Sequence, residues 1–159
     1  MRGRETSFLV DIKNSFEAME YFFYKIPDSP TSYGRGTKMR FTLPKPFDAI
    51  GVAAGFPLAV EAKVSKGYKA FGMKDMRPSQ ITNLDKFIMA GGKSFVFLKV
   101  WSPKTEKTKR FNRLLIFDWQ YCRDEWLKGT MKQKELMDWP YIDYRKKLYD
   151  LSDWYGYKR

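Results

Sequence analysis

Phe8, Ile12, Phe16, Met19 and Phe23 recur three or four residues apart, with Asp11, Lys13, Asn14 and Glu17 between them. That spacing predicts an amphipathic helix over residues 3 to 24. The stretch PDSPTSYGRGT, Pro27 to Thr37, is crowded with Pro, Gly and Ser and reads as a loop. The period then changes: FDAIGVAAGFPLAVEAKVS holds two apolar, partly β-branched runs on either side of Gly55-Phe56-Pro57, which predicts two neighbouring strands joined by a hairpin turn. Pro78 opens a second helix whose apolar stripe is Ile81, Leu84, Phe87 and Ile88, and Gly91-Gly92 ends it. SFVFLKVW and FNRLLIFDW read as strands across the polar stretch SPKTEKTKR, making residues 94 to 119 a second hairpin with a basic tip. After Trp119 the pattern turns helical and rich in Trp and Tyr. Helix, paired strands, helix, strands and helices in that order predict an α/β fold with a central mixed β-sheet flanked by helices. We expect one domain over residues 1–159, with a core at about 3–119 and an aromatic-rich helical C-terminal segment at 120–159.

Charge changes the picture. Lys and Arg number 30 against 18 Asp and Glu, a net charge of +12 that calls for a polyanionic partner. The first helix mixes acidic and basic residues on its polar face, unlike a membrane-surface helix, so nucleic acid is favoured over an anionic membrane. No apolar run approaches the roughly 20 residues of a membrane span, and a cytoplasmic location is expected. With no histidine and Cys122 as the single cysteine, zinc sites, intrachain disulfides and histidine acid/base chemistry drop out. A metal would need oxygen ligands, which points to Mg2+ with Mn2+ as a substitute.

The chemistry concentrates in Asp48 on one strand and Glu61 with Lys63 on the next. Residues two apart on a strand share a face, so Glu61 and Lys63 are neighbours and the hairpin brings Asp48 to them. LAVEAKV otherwise reads as buried, and an isolated charge in a protein interior costs several kcal/mol. A divalent cation between the two carboxylates offsets that cost and activates water beside Lys63. The plainer alternative is an edge strand with a solvent-exposed Glu-Lys pair.

PFDAIGVAAGFPLAVEAK resembles the motif of the PD-(D/E)xK nucleases, and its surroundings are similar to Holliday junction resolvases of the RecU and archaeal types. The tail AFGMKDMRPSQITNLDKFIMAGGKSFVFLKV is similar as well, so the likeness covers roughly residues 2 to 101. Phe47 separates Pro46 from Asp48, so the literal Pro-Asp pair is missing. The resemblance implies a restriction endonuclease-like core and a site of Glu5, Asp48, Glu61, Lys63 and Gln80. Asp48, Glu61 and Glu5 would hold Mg2+, with the Ala62 carbonyl as a further ligand. It also implies branched DNA, above all four-way junctions, as substrate, products with a 5′ phosphate and a 3′ hydroxyl, and a homodimer. Arg2, Arg4, Arg35, Lys38, Arg40, Lys104, Lys107, Lys109 and Arg110 are candidate phosphate contacts. Ser29 or Ser32 matches loosely a serine that contacts DNA in the archaeal type. The C-terminal aromatics read as core or subunit interface in preference to base-stacking platforms. Two other readings stay open: a VRR-NUC or restriction-type nuclease acting on flaps, ends or duplex DNA, and a non-catalytic DNA-binding module.

Overall fold

The computed structural model describes residues 2–28, 45–106 and 109–154, with backbone alone for residues 2–5. The elements are α1 (Arg2–Ala18), β1 (Phe22–Lys25), β2 (Ala49–Ala53), β3 (Phe56–Lys66), α2 (Pro78–Met89), β4 (Lys93–Ser102), β5 (Phe111–Asp118), α3 (Trp119–Lys128), α4 (Gln133–Asp138), β6 (Ile142–Arg145) and β7 (Leu148–Tyr149). The strands stand in one sheet in their sequence order. Neighbours are antiparallel except β3 and β4, which run parallel because α2 carries the chain back between them. The fold is therefore mixed α/β with a seven-stranded mixed sheet.

Side chains alternate across the sheet and build two cores. On one face Leu58, Val60 and Ala62 of β3 join Phe95 and Phe97 of β4 beneath Phe8, Leu9, Ile12 and Phe16 of α1. On the other, Ala59, Val96, Leu98 and Val100 pack with Leu84 of α2, Trp119, Cys122 and Trp126 of α3, and Leu136 of α4. Period two puts Glu61 and Lys63 on this second face, where Ala59 begins an otherwise apolar row. No helix among the described residues is long and apolar enough to cross a membrane.

Four local expectations change. The first helix stops at Ala18, and Glu20 adopts a left-handed φ of 58° that turns the chain into β1. The aromatic run Tyr21–Tyr24 favours extended backbone, and Phe23 reaches the core from a strand at 5.0 Å from the Phe16 ring. In the first hairpin the turn is Ala54-Gly55, with φ of 48° and 81°, and Phe56 and Pro57 already belong to β3. Asp48 sits one residue ahead of β2. The largest change is at the C-terminus, where helical structure ends with α4 and Ile142–Tyr149 forms a hairpin. Pro140 cannot continue a helix, and Lys146-Lys147 supply a two-residue turn with φ of 50° and 69°. The hairpin's last residue and the chain beyond it lie on the α1 face: Tyr149 is fully buried against Phe8, and Trp154 lies edge-on 5.0 Å from Phe95.

Candidate active site

Asp48 is pinned through its backbone before its side chain does anything. Its N–H donates to the Val60 carbonyl at 3.1 Å, and its own carbonyl accepts from Ile26 N–H at 2.9 Å. The carboxylate then turns along β3, where Oδ2 accepts from the Ala62 backbone N–H at 2.9 Å. Glu61 is 1% exposed and, with Lys63, points to α2, whose third residue is Gln80. Gln80 reaches back to the Arg77 N–H at 2.9 Å, an N-terminal capping contact that fixes where the amide stands. From there its Nε2 donates to Glu61 Oε1 and its Oε1 accepts from Lys63 Nζ at 3.2 Å. Lys63 Nζ is also 3.1 Å from Glu61 Oε1. Asp48, Glu61, Lys63 and Gln80 thus meet in one pocket on the α2 face, and Gln80 is buried in it, not turned to solvent.

The pocket is electrostatically strained. Burial, joined by the nearby Asp48 charge, pushes the Glu61 carboxyl up to about 7, and Lys63 and Arg77 only partly offset this. Glu61 Oε2 is buried with no hydrogen-bond partner. An orphaned carboxylate oxygen costs roughly 1–3 kcal/mol or more, and this one adjoins a second carboxylate. An oxygen-preferring divalent cation fits this donor set, since it would satisfy Oε2 and relieve the repulsion. Among the described residues no group of three Asp, Glu, His or Cys side chains is placed to hold a metal, so these contribute two carboxylates at most.

No protein-family model matches the chain, and no curated protein matches it. Among solved structures it is similar to Archaeoglobus fulgidus Hjc, a Holliday junction resolvase from an archaeal hyperthermophile. The two are 18% identical, the match covers 71% of this chain and 74% of that one, and the TM-score is 0.44.

The remaining candidates separate. Glu5, Arg2 and Arg4 belong to the first turns of α1, whose side chains are outside the described residues, as are Arg35, Lys38, Arg40, Lys107, Ser29 and Ser32. Lys104, Lys109 and Arg110 are exposed on the β4–β5 connection. Lys104 and Arg110 line a cleft with Val64 and Lys99 on the α1 side of the sheet, facing away from Glu61. Conversely, two cations of the pocket escaped the sequence reading. Lys45 Nζ lies 2.7 Å from Asp48 Oδ1 and 2.8 Å from Asp28 Oδ1. Burial opposes the charge on Lys45, but the hydrogen bonds to Asp28 and Asp48 outweigh it and raise its pKa. Arg77, exposed just ahead of α2, acts on Glu61 through its charge. The available signals were a lysine three residues before Asp48 beside Pro46, and an arginine at the cap of the Gln80 helix.

Proposed function

We propose that the chain is a Mg2+-dependent DNA endonuclease of the PD-(D/E)xK kind, and within that group a Holliday junction resolvase that works as a homodimer. The observation that carries the nuclease reading is the buried, unpartnered Glu61 Oε2 in a pocket shared with Asp48 and Lys63. A surface ion pair has no reason to bury a carboxylate it leaves unsatisfied, whereas a cation site does. The choice of four-way junctions rests on the sequence resemblance of residues 2 to 101 and on the charge of +12.

Asp48 and Glu61 would hold the ion, which when bound supplies Lewis-acid polarisation of a phosphate oxygen and a more acidic water. Gln80 ties the Lys63 ammonium to Glu61. Of the three Lys63 donors, two are directed at Glu61 and Gln80, which leaves one for the attacking water or the non-bridging oxygen that gains charge. Arg77, exposed and close enough to act on Glu61 through its charge, would contact a neighbouring phosphate. Two copies related by a two-fold axis would suit the two symmetric cuts a junction needs.

The test is cleavage of a synthetic four-way junction beside a linear duplex of equal length, in Mg2+ and then Ca2+, with Asp48→Asn alongside. The wild type should cut the junction preferentially in Mg2+, and Asp48→Asn should abolish cutting. Equal cutting of both substrates removes the resolvase assignment and leaves a restriction or VRR-NUC type of nuclease. No cutting of any DNA form, by wild type and variant alike, removes the nuclease reading in favour of a binding module.

A further inference from the structure

Lys63, Leu98 and Leu115 form one row across β3, β4 and β5, and Ser65, Val100 and Arg113 form the next row on the same α2 face. With strands about 4.8 Å apart and a rise of about 3.3 Å per residue, the Arg113 backbone stands roughly 12 Å from that of Lys63. The Arg113 side chain is held from several directions. Its Nε donates to Asp143 Oδ1 at 3.3 Å and its Nη1 to the Tyr68 hydroxyl at 3.2 Å. The guanidinium carbon lies 3.9 Å from the centre of the Tyr141 ring and 5.4 Å from that of Phe111. Of the five N–H donors of an arginine, this leaves one on Nη1 and both on Nη2. The side chain is still 29% exposed.

An ion pair built only to join β5 to β6 has no need of this arrangement. An arginine paired for that purpose meets both carboxylate oxygens with its fork. Here Asp143 gives one oxygen to Arg113 and the other, at 3.5 Å, to the exposed Arg145. Two cations share one carboxylate, so the cluster keeps an excess of positive charge while one of its guanidinium groups is fixed in place. We propose that Arg113 binds a backbone phosphate of the nucleic acid whose neighbouring phosphate lies at Lys63. The choice of nucleic acid as the anion rests on the nuclease reading. Each DNA strand carries one phosphate per ~3.4 Å of helix axis, so a strand seated at Lys63 presents further phosphates within reach of Arg113. Donors already oriented by Tyr68 and Tyr141 lose little freedom on meeting one.

The experiment is fluorescence anisotropy of a labelled synthetic four-way junction with the full chain in EDTA, so that no cleavage intervenes, over a series of salt concentrations. Each phosphate contact contributes about 0.9 to the slope of log affinity against log salt. Arg113→Met, which keeps an apolar stem against Tyr141, should lower that slope by about 0.9 and weaken binding roughly eightfold at about 0.1 M salt. Lys13→Met, which removes an exposed cation of α1 on the opposite face, should leave the slope unchanged. Asp143→Asn breaks the same ion pair but releases its cations, so it should bind the junction at least as tightly as the wild type. It decides the matter even where Arg113→Met fails to fold, because a purely structural ion pair predicts weaker binding in both. Three results overturn the proposal: an unchanged slope in folded Arg113→Met, an equal loss of slope in Lys13→Met, or weaker binding by Asp143→Asn. Junction binding that loses this slope in Arg113→Met, in a protein that cuts no DNA, refutes the nuclease reading alone. Junction cutting by the wild type with a slope indifferent to Arg113→Met refutes the Arg113 assignment alone.

Discussion

Along β3, the residues that face α1 are Leu58, Val60 and Ala62, and those that face α2 are Ala59, Glu61 and Lys63. Both rows are covered by a helix, yet they meet different partners. The first meets Phe95 and Phe97 and the rings around Phe16, so its burial is satisfied by packing alone. The second meets Gln80, whose amide satisfies one Glu61 oxygen and leaves the other without a partner. One strand thus carries a stabilising face and a face whose polar demand is unmet, and mutations on the two should separate fold from chemistry.

The widest separation should come from Lys63→Ala against Trp154→Ala. Lys63→Ala should lower junction cleavage by about a thousandfold, within the usual range for a general acid/base or charge-stabilising group, and its loss of stability should be confined to neutral and higher pH, where Glu61 is ionised without its cation, and be small at pH 5, where Glu61 takes up a proton. Trp154→Ala removes a ring packed on Phe16, Phe95 and Phe97 and should destabilise by about 3–5 kcal/mol in urea unfolding. It should leave the cleavage rate of the folded fraction alone. If the two variants lose activity and stability in parallel, the faces are not independent and the comparison collapses.

A pH series sharpens the same contrast. The folded Glu61 carboxyl titrates at about 7 against an ordinary 4.5, so the folded state favours the protonated form. Its contribution is therefore fully present below about pH 4.5, declines as pH rises toward 7, and is absent above that. In EDTA the protein should lose on the order of 3 kcal/mol of stability between pH 5 and pH 8 from this group. Glu61→Gln should remove most of that slope when urea unfolding is followed at both pH values. The slope should persist in Glu61→Gln if another group is its source. If Mg2+ is the ion of this site, it would bind the ionised carboxylate and should restore stability at pH 8 far more than at pH 5.

How much of this was readable in advance differs by region for physical reasons. Glu61 and Lys63 stood out because strand period is rigid and charges in an apolar run are conspicuous, whereas Gln80 was picked out only by the resemblance of RPSQ to the nuclease family, since a helix start alone would equally have turned it to solvent. The Ile142–Tyr149 hairpin was not, since its turn residues Lys146 and Lys147 take positive φ without the glycine or asparagine that usually signals it. Its Tyr residues, and Trp154 beyond it, fit either period until Tyr149 and Trp154 are seen on the α1 core. Nor was the placement of Lys104 and Arg110, because which face a hairpin's basic connection lies against depends on tertiary packing. Lys45 was missed because a surface lysine near prolines carries no periodic signal; only the fold sets it 2.7 Å from Asp48.

That contact supplies the smallest and most specific prediction. The Lys45 ammonium occupies one oxygen of the carboxylate that would help hold the metal, and Ala62 N–H occupies the other. An incoming cation must displace the lysine from Oδ1, since the backbone donor is locked into β3. A hydrogen bond to a charged group is worth roughly 1.5–3 kcal/mol net, and Lys45 recovers part of this from Asp28 once released. Lys45→Met should therefore bind Mn2+ about tenfold more tightly in titration calorimetry at neutral pH. Its metal-free form should melt earlier, because Asp48 is left beside Glu61 without its neutralising partner. Unchanged or weaker Mn2+ binding in Lys45→Met would mean that the lysine does not compete for the cation's place, and that the charge on Asp48 is balanced in some other way.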